Sequence, residues 1–200
     1  MGKLCIVFSA LTAALALGCN SGPSAVKAPP LDPAKLADGA LAEYDKDGDG
    51  SLSKAEVKNS PFEVSRWDTN QDGKIDRDEI EQKFKNYEKA QAGVTMLMCT
   101  IVYGSQPLEG AEVVFEPDDF MKDYIETASG TTDANGVVSL GIPELVAKDP
   151  TLSGGIRNGL YRVKVTHPER KIGPKYNEET TLMYEVSPVD YNTQPIFRVR

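Results

Sequence analysis

The chain has 200 residues, with 22 Lys and Arg against 30 Asp and Glu and a formal net charge of −8 at pH 7. That balance argues against nucleic acid or an anionic membrane face as a partner. With three cysteines and one histidine, there is little material for a disulfide framework or a zinc site.

The N-terminal stretch has Lys3 followed by an apolar run from Leu4 to Leu17. The run is shorter than the ~20 residues needed to span a bilayer and suits the hydrophobic region of an export signal over residues 1–18. Its end, Leu15-Ala-Leu-Gly-Cys19, resembles a bacterial lipobox, in which a cysteine just past the cut receives lipid. That resemblance implies lipidation at Cys19 and anchoring to the bacterial cell envelope, on a periplasmic or surface face. An ordinary signal cleaved at another small residue and an uncleaved anchor are the alternatives. Residues 19–34, rich in Pro, Ser, Gly and Ala, read as a flexible tether.

Leu36, Ala40 and Tyr44 recur every four residues and predict one face of a helix. Asp45 to Glu56 then carries oxygen donors at alternating positions: Asp45, Asp47, Asp49, the Ser51 carbonyl, Ser53 directly or through a water, and Glu56. Asp68 to Glu79 repeats the pattern with Asp68, Asn70, Asp72, the Lys74 carbonyl, Asp76 and Glu79. A hard divalent cation takes six to eight oxygens, and each segment offers them around a glycine, Gly50 or Gly73, where the chain must turn sharply. Between them, Ser60-Pro-Phe-Glu63 predicts a helix start capped by Ser60, and Phe62 and Trp67 are candidate core residues. Ile80, Phe84 and Tyr87 predict a closing helix from about Asp76 to Ala92, stopped at Gly93.

The two segments resemble the EF-hand calcium loop, twice, with every ligand position filled. The resemblance implies two Ca2+ ions per chain and a short antiparallel contact between Leu52 and Ile75. No methionine lies between Leu31 and Ala92, so the Met-rich groove of a calcium-opened sensor is missing from this pair. A structural or constitutively loaded pair over 35–92 is the expectation.

From Gly93 the pattern changes to short β-branched runs: 94–103, 111–116, 124–132, 136–141, 159–166, 181–186 and 194–199. Seven such runs predict a two-sheet Greek-key β-sandwich over 94–200, and hence an α+β multidomain chain. The segments Thr100–Pro117, Gly130–Leu140 and Gly159–Val165 resemble the carboxypeptidase regulatory-like, or transthyretin-like (prealbumin-like), domain. Joined to a lipobox, this resembles small lipoproteins of planctomycete-type bacteria. The sandwich is expected to fold without metal, whereas the carboxylate-rich pair needs the ion.

The remaining acidic and polar features have plain readings. Asp133 to Gly136 predicts a hairpin turn, Asp118, Asp119 and Asp123 a solvated loop, Cys99 a buried thiol, and Pro143 to Asn158 a variable binding loop. No nucleophile elbow, phosphate loop or dinucleotide fingerprint is present, and the carboxypeptidase of the family name is a separate domain, so no enzymatic activity is expected. The leading function is a calcium-loaded, lipid-anchored module with a protein or glycan partner. A carbohydrate- or matrix-binding adhesin and a calcium-responsive regulator of a partner protein are the alternatives.

Overall fold

A computed structural model of the chain describes residues 26–150, 152, 154–189 and 194–200. The apolar run, Cys19 and the first part of the tether lie outside the described residues. Among the described residues no helix is long and apolar enough to cross a membrane.

Helix α1 spans Pro33–Tyr44, with Asp32 accepting from the Lys35 amide at 3.2 Å and Pro33 in the first turn. Leu36, Ala37, Ala40 and Tyr44 form its buried face. Strand β1 (Ser51–Ser53), a 3-10 turn (Glu56–Asn59), helix α2 (Val64–Trp67) and strand β2 (Lys74–Asp76) follow. Helix α3, Arg77–Ala90, starts in a full capping box between Asp76 and Glu79. Strands β1 and β2 pair antiparallel with Leu52 opposite Ile75, and both side chains are fully buried.

Two local expectations are corrected. Ser60 does not cap α2: its hydroxyl donates to the Val57 carbonyl and accepts from the Phe62 amide, closing the preceding 3-10 turn. Phe62 packs among Tyr44, Trp67 and Phe120, which keeps the chain extended until Glu63 and leaves α2 only four residues. Nor does Gly93 stop α3. Gln91 takes the left-handed conformation there (φ 49°), while Gly93 lies so close to the Val26 carbonyl that a side chain would not fit.

The rest forms two four-stranded sheets. In the first, central β3 (Met98–Tyr103) pairs in parallel with β10 (Ile196–Val199) and antiparallel with β4 (Gln106–Pro107) and β7 (Val137–Ser139). The second runs β6 (Ala128–Thr131), β5 (Glu112–Pro117), β8 (Gly159–Thr166), β9 (Met183–Val186), all antiparallel. Eight strands are present among the described residues of this region, against the seven expected. The extra one, β4, is the short return of a hairpin at Gly104 (φ 64°), within what reads as a plain turn. Segment 143–158 is not an open loop: it contains helix α4 (Pro143–Lys148), and it is tied back by Gly155 N to the Leu140 carbonyl and by pairing of Ile156 with Thr95.

Alternation along the second sheet gives its two faces different tasks. Phe115, Tyr161 and Tyr184 point toward the first sheet, where the rings of Phe115 and Tyr184 meet Phe197 at 6.0 and 6.1 Å. Leu160 and Glu185 are cross-strand partners on the opposite face, with Arg162 two residues along. The helices cover that face. Phe120 projects from the segment after β5 and stacks on Phe62, with ring centroids 6.1 Å apart. One continuous buried cluster therefore runs from Leu36 to Val199 through all three layers.

Candidate metal centre

Each loop is organised around its first and last carboxylates. In the first, the Asp45 carboxylate accepts from Gly48 N and Gly50 N at 2.7 and 2.9 Å. In the second, Asp68 accepts from Asp72 N and Gly73 N at 3.2 and 2.8 Å. These bonds curl the backbone around the first ligand, and the curl requires left-handed residues: Gly48 and Gly50 (φ 75° and 84°), then Gln71 and Gly73 (φ 62° and 92°). The middle donors repeat the same short-range turns, with Asp49 accepting from Ser51 N and Asp72 from Lys74 N, both at 2.9 Å.

The closing glutamates are held across the loops. Glu56 accepts from Ser53 N at 2.8 Å, Ser53 Oγ at 2.7 Å and Lys46 N at 2.7 Å. Those donors hold its carboxyl down at about 2. Glu79 is buried, which alone would raise its pKa. Hydrogen bonds from the Asp76, Asn70 and Thr69 amides and the Thr69 hydroxyl outweigh burial and pull it below the usual range. Both glutamates are thus ionised and braced across their loops.

Oxygens of Asp45, Asp47 and Asp49 all lie within 4.8 Å of one another, a density of negative charge that fits a hard divalent cation. In the second loop Asp68 is bonded to the Asp72 and Gly73 amides and Glu79 to the Asn70 and Asp76 amides, but among the described residues only the first loop has three carboxylates drawn this close. Ser51 and Lys74 stand on the paired strands β1 and β2. The Lys74 ammonium crosses to pair with Asp49, and this contact, followed by the bonds from Ser51, holds the Asp49 carboxyl down at about 2.

The other chemistry-bearing residues serve the fold. His167 Nε2 contacts the Glu109 carbonyl at 2.8 Å, and its Nδ1 accepts from the Glu169 and Arg170 amides. Cys99 is fully buried and burial pushes its thiol up to about 12. Asp133 Oδ1 accepts from the Asn135 and Val137 amides, the bonds of a turn.

Asp118 departs from its expected place in a solvated loop. It is fully buried at the junction of helices and sheet, where it accepts from the Tyr44 hydroxyl at 2.7 Å and pairs with Arg162. Glu185 carries no signal in the sequence, yet it is buried in a strand and bonded to Trp67 and Tyr87. Alternation places a strand glutamate on a water-facing side, so only the helices folding over that side reveal it.

A protein-family model described as EF hand matches residues 36–59 and 67–85. No curated protein and no solved structure is matched by the chain. The chain thus contains an EF-hand region, and with the cluster of Asp45, Asp47 and Asp49 this supports calcium binding.

Proposed function

We propose that the chain binds two calcium ions, one in each loop, and that the loaded pair stabilises and orients the β-sheet region as an interaction module. The observation that carries this reading is the matched hydrogen-bonding of the two loops: first carboxylate curled by backbone amides, closing glutamate ionised and braced. The ions would supply the counter-charge for the eight carboxylates among the proposed ligands. Ca2+ would be held by Asp45, Asp47, Asp49, Ser51, Ser53 and Glu56, and by Asp68, Asn70, Asp72, Lys74, Asp76 and Glu79.

In this reading the two sheets are a transthyretin-like Greek-key sandwich that engages a protein or glycan, and no catalytic step is involved. The Leu17-Gly18-Cys19 end of the apolar run favours export and lipid attachment at Cys19 to a bacterial cell envelope. Calorimetric titration of the purified chain should give two calcium sites. Asp45→Ala and Asp68→Ala should each remove one, and an unchanged stoichiometry in both would defeat the assignment. For the anchor, wild type should enter a detergent phase from which Cys19→Ser is excluded.

A further inference from the structure

The residue immediately before each loop occupies an equivalent place. Tyr44 ends α1 and Trp67 ends α2, and the next residue, Asp45 or Asp68, both caps the helix and supplies the first ligand. The cap amides bond back to Leu41 and Val64 at 2.9 and 2.8 Å, so each first ligand moves with its helix. Each ring packs within the helical pair, Tyr44 on Phe62 and Trp67 on Phe62 and Phe84, but its polar atom is bonded outside the EF-hand region. Tyr44 Oη donates to Asp118 Oδ2 at 2.7 Å. Trp67 Nε1 donates to Glu185 Oε2 at 3.1 Å.

Glu185 does more than hold one ring. Its other oxygen accepts from Tyr87 Oη on α3 at 2.5 Å and pairs with Lys83 Nζ at 3.4 Å, while Arg66 Nε approaches Oε2 at 3.6 Å. One carboxylate therefore clamps the helix leading into the second loop and the helix leaving it. Four-residue α2 has too few hydrogen bonds to hold a direction by itself, so where Asp68 stands depends on what holds Trp67: the rings of Phe62 and Phe84 and the Glu185 carboxylate. Asp118 acts on the first loop through α1 alone, and Arg162 joins it to Glu43 one residue before Tyr44. Glu185 is buried with partners on both oxygens and Asp118 with partners on Oδ2, its buried Oδ1 having no hydrogen-bond partner; the cost of such burial is offset only when those partners are in place.

We infer that Asp118 and Glu185 are positioning residues for the calcium sites, one for each loop, so that the sheet sets the geometry in which the loops receive the ion. This rests on the reading that the loops bind calcium. A site whose receiving geometry is only partly populated loses affinity in proportion to that population. Loosening one clamp therefore weakens one loop, and not the other.

The test is calcium titration of the full chain, each loop measured with the other disabled by Asp45→Ala or Asp68→Ala. Glu185→Gln should weaken the second loop about tenfold while the first changes by less than about twofold; Asp118→Asn should do the reverse. Tyr44→Phe and Trp67→Phe remove the donors while keeping an aromatic ring, and should reproduce the same loop selectivity if either carboxylate variant fails to fold. Tyr44→Phe combined with Asp118→Asn should cost little more than either alone. Equal losses in both loops would show general loosening and overturn the inference, as would unchanged affinities. If the wild-type chain takes up no calcium, the calcium reading itself fails; if it takes up two ions and the variants match it, only the positioning role fails.

Discussion

The ammonium of Lys74 is ion-paired with the carboxylate of Asp49, so a side chain of the second loop lies against an acidic side chain of the first. Asp49 raises the pKa of Lys74, and the charges of Asp47 and Glu56 act in the same direction. On the two-site proposal the lysine would compete with calcium for Asp49 in the first loop, while its own backbone carbonyl would serve the second. Lys74→Met should therefore tighten calcium binding in the first loop by about twofold to fivefold, the range of an exposed ion pair. Calorimetry at low and high ionic strength checks this: the gain should shrink as salt screens the pair. Equal affinity for variant and wild type at low salt would rule the competition out.

Glu43 gives the helix–sheet junction a pH dependence. Burial first, then the neighbouring Asp118 carboxylate, raises its pKa from 4.5 to about 7. The folded chain thus keeps a proton that the unfolded chain has released. The stability this contributes is fully present below about pH 4.5 and is lost as pH rises through about 7. Glu43→Gln, which mimics the protonated form, should match wild type near pH 4.5 and resist denaturant better at pH 8. The measurement is urea unfolding with chelator present, and an identical difference at both pH values would contradict it.

Cys99 sits inside β3 with its thiol pushed up to about 12 by burial. In a chain carrying Cys5→Ser and Cys19→Ser, a thiol reagent at pH 8 should label Cys99 only after denaturant is added. Its pH linkage also has a defined sign. The folded value lies above the ordinary 9.0, so the contribution is present below pH 9 and lost as pH rises toward 12. Rapid labelling of the native chain would show that the strand opens.

The loops and the buried faces of α1 and α3 are legible in the sequence because their determinants are local: ligand spacing, a glycine at the turn, apolar residues every three or four positions. Strand positions are legible for the same reason, through β-branched runs. What joins the layers is not. Asp118 reads as one of three acidic loop residues, and Glu185 as an outward residue in an alternating strand. Both acquire their role only when helices more than seventy residues away in sequence cover them. Ser60 and Gly93 carry familiar boundary signals, but Phe62 packing and the close approach of Val26 decide those positions instead.

That junction bears on how the chain unfolds. Phe120 stacks on Phe62 and meets Phe84 edge-on, at 6.1 and 6.2 Å, and lies against Gly39 of α1 so closely that an added Cβ would sit 2.9 Å from its own. It belongs in sequence to the sheet region and in space to the core of the helices. Independent, metal-free folding of 94–200 would strip Phe120, Asp118 and Glu185 of their partners and expose buried carboxylates. Calcium binding to the loops should therefore stabilise the sheets as well. Chelator is expected to lower a single thermal midpoint, the same by fluorescence of Trp67, the only tryptophan, and by the β-sheet signal in circular dichroism. Phe120→Ala should cost about 2–3 kcal/mol, somewhat below the figure for a fully buried phenylalanine because this ring is partly exposed. It should also split the transition, leaving the Trp67 midpoint sensitive to chelator and the sheet midpoint much less so. Two separate transitions already present in the wild-type chain would show that the helices and sheets unfold independently despite their shared core.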